Sequence, residues 1–240
     1  MKTKLKIALF AYNFPHRKTI EFVDKIYDCG FEINLILAAN FIPIKSPRSG
    51  FVIDTPMPSF SIQDKATQKN IPLYEVAHNS LEAQDLLMKY NVNLGIIAGA
   101  RVLTHKVIDI LRYGILNFHP ALLPEIRGLD SMLWSIYKNV PLGVTAHLIN
   151  EKIDAGFLIV QQTINILSSD NFQSLYEKNY QLQLELIPIS LNLILQNQAF
   201  TALEINEYNN RMSYVKQLEV KEKLQEYVRQ YSNQKDGSKN

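Results

Sequence analysis

Asn117-Phe118-His119-Pro120 is the densest polar cluster in an apolar context in this chain. It ends the apolar run from Gly114 to Phe118, which reads as a strand. Alternation along an extended chain puts Asn117 and His119 on one side and Phe118 on the other. An imidazole moves protons near neutral pH. A primary amide donates a hydrogen bond to an oxygen that gains negative charge. A carboxylate completes such a set by orienting the histidine. Asp154, in the turn Lys152-Ile153-Asp154-Ala155-Gly156 between two apolar segments, is the best candidate. The same spacing also fits a satisfied core histidine and a turn aspartate, and spacing alone leaves both readings open.

A cluster at a strand end needs a sheet whose carboxyl edge holds the site. Leu5 to Phe10 reads as a first strand. Thr19 caps a helix to Cys29, with Ile20, Val23, Ile26 and Tyr27 on one face and Gly30 as its stop. Glu32 to Ala39 is a second buried strand, so strand, helix and strand predict a parallel α/β unit. Pro43, Pro47, Pro56, Pro58 and Pro72 make residues 40–72 a long surface excursion bordering a site. Next come a helix Asn79 to Tyr90, a strand Asn93 to Ala98 and a helix Thr104 to Arg112. The cluster-bearing strand follows, then a helix Leu129 to Tyr137. Gly143 to Ile149 and Gly156 to Thr163 read as a hairpin-like pair around Asp154. Beyond Ser168 the sequence predicts a helix Phe172 to Gln196 with a kink or break at Pro188. A short strand Ala202 to Tyr208, a charged amphipathic helix Val215 to Tyr231 and a frayed polar end, Ser232 to Asn240, complete the chain. The expected fold is α/β, a Rossmann-like, mostly parallel sheet flanked by helices. Its catalytic domain is expected at 1–168. Residues 169–240 form a small, mostly helical C-terminal appendage that offers a homodimer contact.

Composition narrows the function classes. The 240 residues carry 25 Lys and Arg against 23 Asp and Glu, a net charge of +2. That balance speaks against a general nucleic-acid binder. The single cysteine, Cys29, allows no disulfide framework and no cysteine-built zinc site, and it reads as a small buried apolar residue. No run approaches the about 18 apolar residues of a membrane span. The N-terminus lacks signal-peptide features, so a cytoplasmic location is expected. His78 and His105 read as surface or capping residues. One histidine with one distant aspartate falls short of a metal ligand set.

The segment from Gly114 through Pro120-Ala121-Leu122-Leu123-Pro124 to Arg127-Gly128 resembles the signature of the folate-dependent formyltransferase family, Asn-x-His-Pro-x-Leu-Leu-Pro followed by Arg-Gly. Gly143-Val144-Thr145-Ala146-His147 followed by Asp154-x-Gly156 resembles its second motif. The resemblance is clear over about residues 75–165. It implies formyl transfer from 10-formyltetrahydrofolate, a co-substrate, to a primary amine without a metal. Asn117, His119 and Asp154 match the family's catalytic positions, and His147 matches a position that supports Asp154 or the hairpin. The resemblance also implies that the folate lies against Gly99, Ala100, Arg101, Val102 and Leu103, and against Ile153 and Gly156.

Three branches differ in acceptor. Glycinamide ribonucleotide enzymes carry a glycine-rich phosphate loop after the first strand, whereas Phe10 to Arg17 here contains no glycine. Methionyl-tRNA formyltransferases carry a C-terminal barrel and a basic surface, whereas the C-terminal part here is short and reads as helical. Pro124 to Asp130, with Trp134, and Tyr12 to His16 are similar to nucleotide-sugar N-formyltransferases. That branch implies a dTDP-4-amino-4,6-dideoxyhexose acceptor used in surface polysaccharide (O-antigen) synthesis. A non-catalytic binder of folate or nucleotide sugar is the alternative of a different class. Tyr12, Asn13, His16, Arg127, Asp130 and Trp134 are the substrate-binding candidates. Arg127 suits a phosphate or carboxylate, or equally a structural salt bridge or helix-end contact. Trp134 suits stacking on a base, or burial beside Leu133 and Ile136.

Overall fold

The structure, a computed structural model, describes residues 4–43, 48–196 and 198–233. Its first half contains strands β1 (Ile7–Tyr12), β2 (Ile33–Ala39), β3 (Leu73–Glu75), β4 (Leu94–Ile97) and β5 (Ile115–His119). Helices α1 (Arg17–Asp28), α2 (Ile62–Lys69), α3 (Leu81–Lys89) and α4 (His105–Ile108) connect them. The second half contains β6 (Arg127–Gly128), α5 (Ser131–Tyr137), β7 (Gly143–Leu148) and β8 (Phe157–Thr163). It continues with α6 (Phe172–Leu195), β9 (Thr201–Ala202), β10 (Tyr208–Asn209) and α7 (Tyr214–Asn233).

The main sheet runs β3-β2-β1-β4-β5-β7-β8-β9. The pairs from β3 to β5 are parallel, and those from β5 to β9 are antiparallel. The order reverses between β1 and β4, which opens a crevice at their carboxyl ends. β1 reads Ile-Ala-Leu-Phe-Ala because both faces are covered. Ile7 and Leu9 join the core under α1 and α6, while Ala8 and Phe10 join the one under α3 and α4. No helix among the described residues is long and apolar enough to cross a membrane.

Several expectations are corrected. Residues 40–72 are not wholly irregular, because Ser61 and Asp64 form a reciprocal capping box that starts α2. Residues 44–47 of that segment, and 234–240 of the polar end, lie outside the described residues. α1 starts at Arg17, with His16 as its cap: Nδ1 accepts from the Thr19 amide, and Thr19 itself is buried. α4 is confined to His105–Ile108. α6 continues through Pro188, because Leu186, Ile187 and Leu191 around it are buried against the sheet layer. The strand expected from Ala202 to Tyr208 is instead two short bridges, β9 on the main sheet and β10 on β6. The C-terminal segment expected as an appendage shares the main core: Leu175, Leu186, Leu191, Val220 and Val228 cluster with Ile7, Leu9 and Phe118. His78 is buried, its Nε2 within hydrogen-bond reach of the Ala11 and Leu37 carbonyls.

Candidate active site

A cavity of about 1060 Å³ lies over the carboxyl ends of β1, β4 and β5. Asn117 and His119 enter it from β5, which ends there because Pro120 cannot continue the ladder. Asp154 enters from the loop between β7 and β8. That loop turns back sharply, and Asp154 itself holds φ +48°, a left-handed conformation that aspartate tolerates better than most residues.

His119 Nδ1 lies 3.3 Å from Asp154 Oδ1, and Nε2 lies 2.8 Å from the Ile126 carbonyl oxygen. Both ring nitrogens thus face oxygen acceptors, a set that the imidazolium satisfies with two donors. Asp154 Oδ2 accepts from the Gly128 amide at 2.8 Å. Gly128 has φ +101°, and an added Cβ would collide with the Asn209 carbonyl. Burial on its own would raise the Asp154 carboxyl, but His119 and the Gly128 amide outweigh it and hold the group below the usual carboxylate range.

Asn117 sits opposite His147 in the β5–β7 register. Its Nδ2 donates to His147 Nε2 at 3.1 Å, while His147 Nδ1 donates to the Ala155 carbonyl at 3.0 Å. The carbonyl requires a donor at Nδ1, so the neutral ring presents Nε2 as the acceptor. Burial, with the neighbouring His119 charge, lowers His147 to about 4. Asn117 therefore has one amide hydrogen anchored and, among the described residues, the second free.

Among the sequence-predicted residues, Tyr12, His16, Gly99, Ala100, Arg101, Val102, Leu103, Asp130 and Ile153 line the same cavity as the trio. Asn13, Arg127, Trp134 and Gly156 lie outside its lining. Asn13 bonds to Asn40 and Gln63. The Arg127 guanidinium, buried, turns away onto the carbonyls of Ile153, Asp154 and Asn206. Trp134 donates through Nε1 to the Asn210 carbonyl at 2.8 Å and packs on Tyr137. Asp130 accepts from the Met212 amide. Residues the sequence reading missed also line the cavity: Lys18, Tyr208, and Asn179 and Gln183 of α6. The available signal for the last two was a polar i, i+4 pair on the apolar face of a helix.

A family model described as Formyl transferase matches residues 54–191. A methionyl-tRNA formyltransferase of Chlorobium limicola is 29% identical over 150 residues, covering 62% of this chain and 45% of that protein. The chain spans about half the length of the curated relatives it matches. A phosphoribosylglycinamide formyltransferase from Anaplasma phagocytophilum has the same fold, with a TM-score of 0.64 and 19% identity over 88% of this chain and 100% of that one. A sugar N-formyltransferase from a Shewanella species superposes with a TM-score of 0.59 and 19% identity, over 85% and 76% of the two chains. The cavity at the switch point and these likenesses agree on one class. The chain belongs to the formyl transferase family.

Proposed function

We propose that this chain transfers the formyl group of 10-formyltetrahydrofolate to the amine of a nucleotide-linked amino deoxysugar, with dTDP-4-amino-4,6-dideoxyglucose as the first acceptor to test. The observation that carries the reading is the His119–Asp154 contact beside the half-anchored Asn117 amide in one cavity. The folate supplies an activated formyl group. Its fit is supported by the cavity wall after β4, lined by Gly99 to Leu103, where an added Cβ on Gly99 would collide with the Tyr12 ring, so glycine lets that ring pack against the main chain beside the cavity.

The amine nitrogen bonds to the formyl carbon and the bond to the folate nitrogen breaks. The free N–H of Asn117 meets the oxygen that becomes negative. The amine loses one proton and the folate nitrogen gains one. The neutral His119 ring, its Nε2–H on the Ile126 carbonyl, takes that proton at Nδ1, 3.3 Å from Asp154, as the imidazolium that the carboxylate stabilises, and releases it to the folate nitrogen. The products are an N-formyl sugar and tetrahydrofolate.

The acceptor assignment is supported at α1. Its first-turn amide at Thr19 is already taken by His16, and no glycine opens the preceding loop. Tyr12 and Phe14 stack there instead, with ring centroids 4.7 Å apart. Lys18 lines the cavity without an ion pair among the described residues, ready for a phosphate. The test is an acceptor panel with purified protein, following tetrahydrofolate release and the acceptor's mass. Amino-sugar nucleotides are expected to outpace glycinamide ribonucleotide and methionyl-tRNA in kcat/KM. Equal or faster turnover of either competitor overturns the sugar assignment.

A further inference from the structure

The catalytic loop is held by a part of the chain that lies outside the family match, which ends at residue 191. β10 pairs in parallel with β6, placing Tyr208 beside Arg127 and Asn209 beside Gly128. Asn209 Nδ2 donates to the Arg127 carbonyl at 2.8 Å, and the Asn209 carbonyl accepts from the Leu129 amide at 2.9 Å. Asn209 is buried. The Arg127 side chain then bridges two segments. Nη1 donates to the Asn206 carbonyl, Nη2 to the Ile153 carbonyl, and Nε to the Asp154 carbonyl at 3.1 Å. A planar fork with fixed donor directions can satisfy three carbonyls at once, which a lysine ammonium cannot match in geometry.

We propose that Asn206–Met212 is a strap that positions the Asp154 carboxylate, and that Arg127 is the positioning residue joining strap to catalytic loop. Two main-chain bonds from the guanidinium fix the Ile153 and Asp154 carbonyls. They hold Asp154 in its left-handed conformation with both carboxylate oxygens committed, one to His119 and one to the Gly128 amide. The strap closes the same unit, because Gly128 is free of a Cβ where the Asn209 carbonyl packs against it. Arg127 touches no substrate in this account and acts through Asp154. This inference deepens the formyl-transfer reading and rests on it for its kinetic test.

The test is a double-mutant cycle. Arg127→Lys and Asn209→Ala are each expected to lower kcat by up to about 100-fold, the scale of a displaced catalytic group, with KM for folate and acceptor little changed. Combined with Asp154→Asn, either is expected to change the residual kcat by less than about twofold, because the group they act through is already gone. An equal loss in both backgrounds, or a loss confined to KM, overturns the proposal in favour of a purely structural strap. Asn209→Ala leaves the guanidinium intact and carries the cycle if Arg127→Lys does not fold. Hydrogen exchange at the Gly128 amide reads the Asp154 contact without turnover. Its protection falls in Asn209→Ala and in Asp154→Asn alike if the strap positions the carboxylate, and protection unchanged in Asn209→Ala contradicts it. A wild-type protein that formylates no amine refutes the proposed function and leaves the exchange measurement to decide the strap.

Discussion

Asn117 and His147 face each other across β5 and β7, and the 3.1 Å contact from the amide to the ring fixes which way the amide points. A freely rotating amide would present its oxygen to the developing oxyanion half the time. His147, locked by the Ala155 carbonyl, admits only the donor orientation. His147→Leu is expected to lower kcat by up to about 100-fold, within the range of losing an oxyanion donor, and to leave acceptor KM nearly unchanged. Adding Asn117→Ala to that variant is expected to bring the loss only to that of Asn117→Ala alone. Steady-state kinetics of the two single variants and the double variant check this, and additive losses would separate the two residues.

The trio makes the second prediction. His119→Asn and Asp154→Ala are each expected to reduce kcat by about 10²–10⁴-fold, the range for general acid–base groups, and Asn117→Ala by about 10²–10³-fold, the range for an oxyanion donor. Circular dichroism melts establish that each variant is folded. A His119→Asn protein with near wild-type kcat would remove the ring from the chemistry.

Lys18 makes the third. Burial lowers its amine to about 8. A bound phosphate favours the ammonium form, so acceptor affinity is present below that pH and weakens above it. KM for a sugar nucleotide is expected to rise tenfold for each pH unit above about 8 as the charge is lost, the limit for one titrating group. Lys18→Met is expected to raise KM at pH 7 and to flatten that rise. The same profile with an acceptor lacking phosphate is expected to be flat in both proteins. A wild-type KM that does not respond to pH would take Lys18 out of the acceptor site.

Acid stability gives the fourth. Burial lowers His16 and His147 to about 4, against an ordinary value of 6.5. The unfolded chain therefore binds these protons near 6.5 while the native protein does not until about 4. Stability falls as pH drops through that window. Asp154, held below its usual range, extends the loss to lower pH, because its protonation removes a charge that the native site stabilises. Tm is expected to be level near pH 7 and to fall steadily below pH 6.5. His16→Asn keeps an N-cap acceptor without a titrating ring and is expected to shallow that slope. A wild-type Tm unchanged between pH 7 and pH 5 contradicts this account.

What the sequence made legible followed local patterns. The apolar runs of β1, β2, β4 and β5 are nearly continuous, as both-face burial demands, and the Asn117–His119 alternation reads directly as two side chains on one side of β5. α2 was hidden because its capping box, Ser61 with Asp64, lies in a proline-broken stretch whose few apolar residues give a weak stripe. The direction of Arg127 was not legible at all. Its residue type suits a phosphate, and only the meeting of the 150–156 loop with the 206–209 segment supplies the carbonyls it satisfies. Trp134 is settled by the Asn210 carbonyl in the same way. Such contacts are long-range and leave no periodic trace in the chain.

The central claim is that the cavity moves a formyl group from folate nitrogen to a sugar amine. The most direct measurement incubates the purified protein with 10-formyltetrahydrofolate carrying an isotope-labelled formyl carbon and with dTDP-4-amino-4,6-dideoxyglucose, and locates the label by NMR. The account predicts the label in an amide on the sugar nitrogen, with tetrahydrofolate released in equal amount and no transfer by His119→Asn on the same timescale. Label that stays on the folate, or that appears only as free formate, would contradict it.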